Sequence, residues 1–249
     1  MPRAFSYLIV AIVVLAWPSL LMAYTFTLSE IEFQTWSPHC KVVYLRTQPG
    51  KATNYERFVS KSDRVAAQAI LGSKSPYGEG GIHHFCAGTK WLERARLESD
   101  TQTYDLYLRK ARSETHYTLV RTREGSPTNI LAATQMALVL HEQKEDLQAL
   151  DLLDSVILLA PSYPMPYLAK ATIHYRQRDY SLARDVLVQG DERMTEKSPD
   201  IQYNLGLILI KLGDPESAVR YARLAYNQGY PLPGLRRQLE NLGYSLSSN

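Results

Sequence analysis

The chain has 249 residues, of which 45% are hydrophobic and 21% charged, ordinary values for a globular protein. Its 13 glycines and 13 prolines are too few for a collagen or a low-complexity linker. The formal charge is +3: residues 24–123 carry 15 basic and 10 acidic groups, residues 124–249 carry 12 and 15, and Arg3 supplies the remainder. This mild asymmetry excludes the concentrated basic footprint of a nucleic-acid binder.

In chain order, the first expected element is an export segment over Met1–Ala23. Arg3 is its single charge, Phe5–Ala16 is an apolar run, and Ala23 offers a small residue for cleavage. A short basic start, an apolar stretch and a small-residue end form the pattern of a signal peptide. The alternative is an uncleaved membrane anchor, since about 20 apolar residues can cross a bilayer. Pro18 favours cleavage because an interior proline breaks a helix. Both readings put the remaining chain outside the cytoplasm, with membrane contact only through residues 1–23 if they are retained.

Residues 24–81 are expected to form an irregular extension punctuated by Pro38, Pro49 and Pro76. One helix is predicted near Tyr55–Leu71, with Phe58, Val65, Ala69 and Ile70 on its apolar face. The turn residues of Ser73–Gly81 predict a loop. Ile82–Leu97 and Thr103–Arg121 then read as two helices, which makes 82–123 a divergent hairpin with Gly88 and Ala111 at the close approach. Cys40 and Cys86 are the only cysteines, and two thiols in an oxidising compartment usually pair.

Residues 130–230 repeat. Ala137, Ala171 and Gly206 are spaced 34 and 35 apart, and so are Ala149, Ala183 and Ala218. Within each unit the two small residues lie 12 apart. Small residues at that spacing let two helices of a hairpin approach closely, and such hairpins bury their apolar stripes only by stacking. The three units resemble tetratricopeptide repeats, most closely over Pro199–Tyr226, where Leu205, Gly206, Gly213, Ala218 and Ala225 stand at the family's offsets. The second unit departs from that pattern, with Gly190 in place of the late Ala. Residues 233–244 read as a capping helix. The resemblance implies an all-α chain, a right-handed superhelical solenoid of helical hairpins preceded by the irregular extension.

A narrower resemblance sits at Ile82-His83-His84-Phe85-Cys86-Ala87-Gly88. It is similar to the His-His-Tyr-Cys segment that precedes the repeats in a family of exported tetratricopeptide proteins of proteobacteria, which also carry an upstream cysteine, here Cys40. Phe85 and Ala87 depart from that family's Tyr and Trp. The same cluster offers metal-ligand chemistry through His39, His83 and Cys86, residue types that suit zinc or copper. A disulfide between Cys40 and Cys86 competes with it, because each cysteine can serve only one purpose. The exported setting favours the disulfide.

Catalytic motifs fail on inspection. His141-Glu142 lacks the second histidine of a zinc protease, and Gly78–Gly81 is not followed by Lys and a hydroxyl residue as in a phosphate-binding loop. No Cys-x-x-Cys pair and no Gly-x-Ser-x-Gly elbow occurs. No enzyme activity and no cofactor are therefore expected. The tetratricopeptide register instead implies a concave groove. Its lining would be Leu131, Thr134, Leu138 and His141 in the first unit, Leu168, Thr172, Tyr175 and Arg176 in the second, and Tyr203, Leu207 and Lys211 in the third. This mixture suits a peptide or helix of another protein. The expected role is a periplasmic scaffold in assembly of a cell-envelope machine, with metal handling through the His/Cys cluster as the alternative.

Overall fold

The computed structural model describes residues 26–71 and 81–246. The segment 1–23 and nearly all of the loop expected over Ser73–Gly81 lie outside the described residues. Those described are helical, with no strand among them.

The N-terminal region is more regular than its sequence predicts. It holds α1 (Glu30–Gln34), α2 (Pro38–Tyr44), α3 (Gln48–Lys51), a 3₁₀ turn (Tyr55–Phe58) and α4 (Lys61–Leu71). Ser29 caps α1 in a reciprocal box: its hydroxyl accepts the Glu32 amide, and the Glu32 carboxylate accepts the Ser29 amide at 2.8 Å. The helix expected near Tyr55–Leu71 is interrupted because Val59 is extended, and Ser60 and Asp63 then cap α4 reciprocally. Val65, expected on the apolar face, is exposed, whereas Ala67 and Leu71 are buried. Phe33, Trp36, Val43 and Tyr44 build a core here with Ile82 and Cys86.

Eight longer helices follow: α5 (Ile82–Leu97), α6 (Thr101–Leu119), α7 (Pro127–Glu142), α8 (Asp146–Leu159), α9 (Pro164–Arg176), α10 (Tyr180–Arg193), α11 (Pro199–Lys211) and α12 (Pro215–Asn227). They pack as the adjacent pairs α5/α6, α7/α8, α9/α10 and α11/α12. The first helices of the pairs also touch in succession, α5 on α7, α7 on α9 and α9 on α11. This is the arrangement of a helical-repeat array.

The small residues explain the pairing. Ala137, Ala149, Ala183 and Ala218 are wholly inaccessible. At Gly88 a Cβ would stand 2.6 Å from both Thr115 Oγ1 and Gln135 Nε2, so any side chain would push α6 and α7 away. The turn after each of α7, α9 and α11 contains one left-handed residue: Lys144, Arg178 and Gly213, 34 and 35 positions apart. The turn thus recurs with the period of the packing. Only the third unit gives that strained position to glycine.

Glu142 at the end of α7 ties three pairs together. Arg96 of α5 and Arg176 of α9 reach its carboxylate at 2.6 and 2.5 Å. Finally α13 (Gly234–Asn241) lies on α11 and α12 and buries Leu235 and Leu239 completely.

Candidate functional site

Two regions bring sequence-predicted residues together. The first is the His/Cys cluster. Cys40 of α2 and Cys86 of α5 form a disulfide with Cα atoms 5.4 Å apart, and it fastens the N-terminal helices to the first long pair. Both cysteines are buried.

A ring nitrogen of His39, Cys40 Sγ and Cys86 Sγ lie within 4.8 Å of one another, and they are the single such group of potential ligands among the described residues. His83 is not part of it. A soft metal needs thiolates, and here both sulfurs are consumed by the disulfide. One imidazole remains, so the oxidised protein has no competent donor set at this point. The His39 ring stacks on Phe85 with centroids 6.0 Å apart, and burial pulls its pKa down to about 4. It is a neutral packing residue.

His83 and His84 occupy the start of α5 beside α6. His84 Nδ1 lies 2.6 Å from Glu114 Oε2, and its ring contacts Tyr117 at 3.8 Å between centroids. The His83 ring lies 4.2 Å from that of His84, and burial, together with the neighbouring imidazole, lowers its pKa.

The second region is a cleft of about 210 Å³ between α9 and α11. Leu168, Thr172 and Tyr175 come from α9, Leu207 and Lys211 from α11, and the floor is Ala171, Leu187 and Ile208. Gln238 of α13 and Asn204 complete the rim. Five of the eleven groove residues named from the sequence therefore converge. The Tyr175 ring is 37% exposed and rests against Tyr180 at 5.2 Å, so it stands in water on an apolar support. The Thr172 hydroxyl donates to the Leu168 carbonyl at 2.7 Å.

The other six are used internally. Thr134 is buried, and His141 is buried with Nδ1 2.6 Å from Asp146 Oδ1 across the α7–α8 turn. Leu131 packs on the N-terminal core, and Leu138 lies between the cores of the first two long pairs. Arg176 is held by Glu142. Tyr203 is buried beneath α13, where its hydroxyl accepts the Leu235 amide at 3.2 Å and its ring stacks on Tyr230 at 4.3 Å. Leu131 and Tyr203 are covered by the N-terminal helices and by α13 at the two ends of the array, whereas Leu138, His141 and Arg176 are taken up by contacts within and between the long pairs, so the open stretch shrinks to the α9–α11 cleft. Asn204 and Gln238 were missed from the sequence. Asn204 precedes Leu207 by three residues and Lys211 by seven, hence on the same face of α11, a signal available from helical spacing, whereas Gln238 comes from another element and left none.

No protein-family model matches this chain, and no curated protein matches it either.

Proposed function

We propose that this is an exported, non-catalytic interaction protein. In this reading its helical pairs form a right-handed superhelix of tetratricopeptide type that holds a peptide or helix of a partner protein in the α9–α11 cleft, within assembly of a cell-envelope machine. The carrying observation is the convergence of Leu168, Tyr175, Leu207 and Lys211, from two successive pairs, on one open cleft. Apolar anchors beside a single cation and two amides suit an amphipathic segment better than a flat surface would. Export is supported by the Met1–Ala23 pattern and by the buried disulfide. Among the described residues no helix is long and apolar enough to cross a membrane.

Photo-crosslinking tests this reading. A benzophenone amino acid at Tyr175 is expected to yield one adduct of defined mass in intact cells. The same residue at Leu224, exposed on α12 away from the cleft, is expected to yield none. Equal labelling from both positions would refute a cleft-bound partner.

A further inference from the structure

Cys40, Cys86 and His39 are all buried, and the bond between the sulfurs is not all that keeps them together. Helix α2 packs on α5, and both cysteines belong to one apolar cluster with Phe33, Val43, Ile82 and Phe85. His39 precedes Cys40 on α2, and its ring is stacked on Phe85. Opening the disulfide therefore leaves the donors side by side. Reduction by a dithiol delivers two electrons and two protons, and it yields two neighbouring thiols beside a buried imidazole.

We propose that this reduced state is a metal site: His39, Cys40 and Cys86 hold one copper(I) ion, and forming the disulfide expels it. Spacing, donor type and donor count carry the assignment. An ion bonded at about 2.3 Å to sulfur and about 2.0 Å to nitrogen holds its donors roughly 3.5–4 Å apart. The three donor atoms already lie within 4.8 Å of one another, so small side-chain rotations suffice. Two thiolates and one imidazole select a soft ion. No fourth His, Cys, Asp or Glu joins the group among the described residues. Copper(I) is satisfied by three ligands, whereas zinc takes four. The apolar surroundings favour the ion that needs no bound water. Because the donors are buried, the ion enters as the reduced chain folds, and the two thiol protons leave as it binds. Reoxidation removes two electrons from the sulfurs, restores the S–S bond and releases the ion. The site lies in the N-terminal core and does not involve the α9–α11 cleft.

The test reduces the protein with dithiothreitol in denaturant, removes the dithiol, and refolds the chain without oxygen in the presence of copper(I) bathocuproine disulfonate. Reduced wild type should withdraw one copper per chain, read as a fall in the visible absorbance of the chelate, and equimolar zinc should not displace it. X-ray absorption should show two sulfurs and one nitrogen around the ion. The oxidised protein should withdraw none. Cys40→Ser should lose the transfer, and His39→Phe should weaken it by about tenfold or more. His39→Gln serves if His39→Phe does not fold by circular dichroism. His83→Ala, outside the donor group, should match wild type. No transfer to the folded, reduced wild type, displacement by equimolar zinc, or wild-type affinity in the His39 variants would each overturn the proposal.

Discussion

The amide of Leu235, the second residue of α13, donates to the hydroxyl of Tyr203 in the middle of α11 at 3.2 Å. The contact needs two glycines. A Cβ on Gly234 would come within 2.7 Å of that hydroxyl, and Gly206 lies directly under the Leu235 side chain. Gly206, which stands where the earlier units have alanine, thus serves the docking of α13 upon α11. Tyr203 closes the array and does not face a partner.

Tyr203→Phe keeps the ring stack on Tyr230 but strands a buried amide. It should cost about 1 kcal/mol and lower Tm by about 2–4 °C. Tyr203→Ala should cost about 3–5 kcal/mol through the cavity it leaves. It should also expose residues 228–246 to limited proteolysis while the first three long pairs remain resistant. Calorimetry and mass mapping of the fragments check both expectations.

The disulfide spans 46 residues, and closing a loop of that length restricts the unfolded chain by about 4 kcal/mol on the entropy model. Cys40→Ser should lower thermal stability and make residues 26–71 the first region cut by protease. Melting curves that coincide with and without reductant would count against any such role for the bond.

His39 gives acid sensitivity a definite window. Burial places its folded pKa at about 4, below the ordinary 6.5. The folded value is depressed for a base, so the unfolded chain takes up the proton first as pH falls. Stability is unaffected above pH 6.5 and declines from there to pH 4, by about 3 kcal/mol in all. His83, also lowered by burial, acts with the same sign. Glu32 works further down: hydrogen bonding to Arg94 holds its carboxyl at about 2, so its contribution is full above pH 4.5 and is lost towards pH 2. Denaturant titrations of wild type and His39→Phe should therefore diverge by about 3 kcal/mol between pH 7 and pH 4. A constant difference would show that His39 titrates normally.

Glu142 accepts from two arginines on different helices while only 10% of its side chain is exposed. Burial raises its pKa, but the hydrogen bonds from Arg96 and Arg176 outweigh that effect and hold the carboxyl below the ordinary range. Glu142→Gln should cost about 2 kcal/mol, as charged hydrogen bonds do. The loss should be much smaller in an Arg96→Ala, Arg176→Ala background, a difference that a double-mutant cycle measures.

What could be read beforehand follows from the range of each interaction. Ala137, Ala149, Ala171, Ala183 and Ala218 announce the helical pairs because close helix approach demands small residues at a fixed local spacing. Gly190 reads as a departure from the pattern until the ring of Tyr167 is placed against it, where a Cβ would stand 2.8 Å from Tyr167 Cγ. Helices α1 to α3, four to seven residues long, are too short to display a period, and their formation rests on caps and on burial against α5. Tyr203 and Leu131 were misplaced because a repeat register assumes an open inner face, whereas covering of that face by α13 or by the N-terminal helices is a tertiary event; His141 is instead taken by Asp146 across the α7–α8 turn. The cleft residues Leu168, Tyr175 and Leu207 were readable since α13 reaches only the rim of the cleft, through Gln238, and leaves them lining it.

Tyr175 is consequently the position that should separate binding from folding. Its ring is partly exposed, it lines the cleft, and it supports no other helix through a hydrogen bond of its hydroxyl among the described contacts. Aromatic side chains at the centre of such clefts carry a large share of binding energy, commonly about 2 kcal/mol or more. Tyr175→Ala should weaken the crosslinked partner about thirtyfold while shifting Tm by no more than a few degrees. Tyr203→Phe should do the reverse, lowering Tm with affinity unchanged. His83→Ala combined with His84→Ala lies at the other end of the molecule and should leave affinity intact. Isothermal titration of the purified partner against the three variants resolves these outcomes, and loss of binding in the histidine pair alone would move the functional surface from the α9–α11 cleft to the histidine cluster at the start of α5.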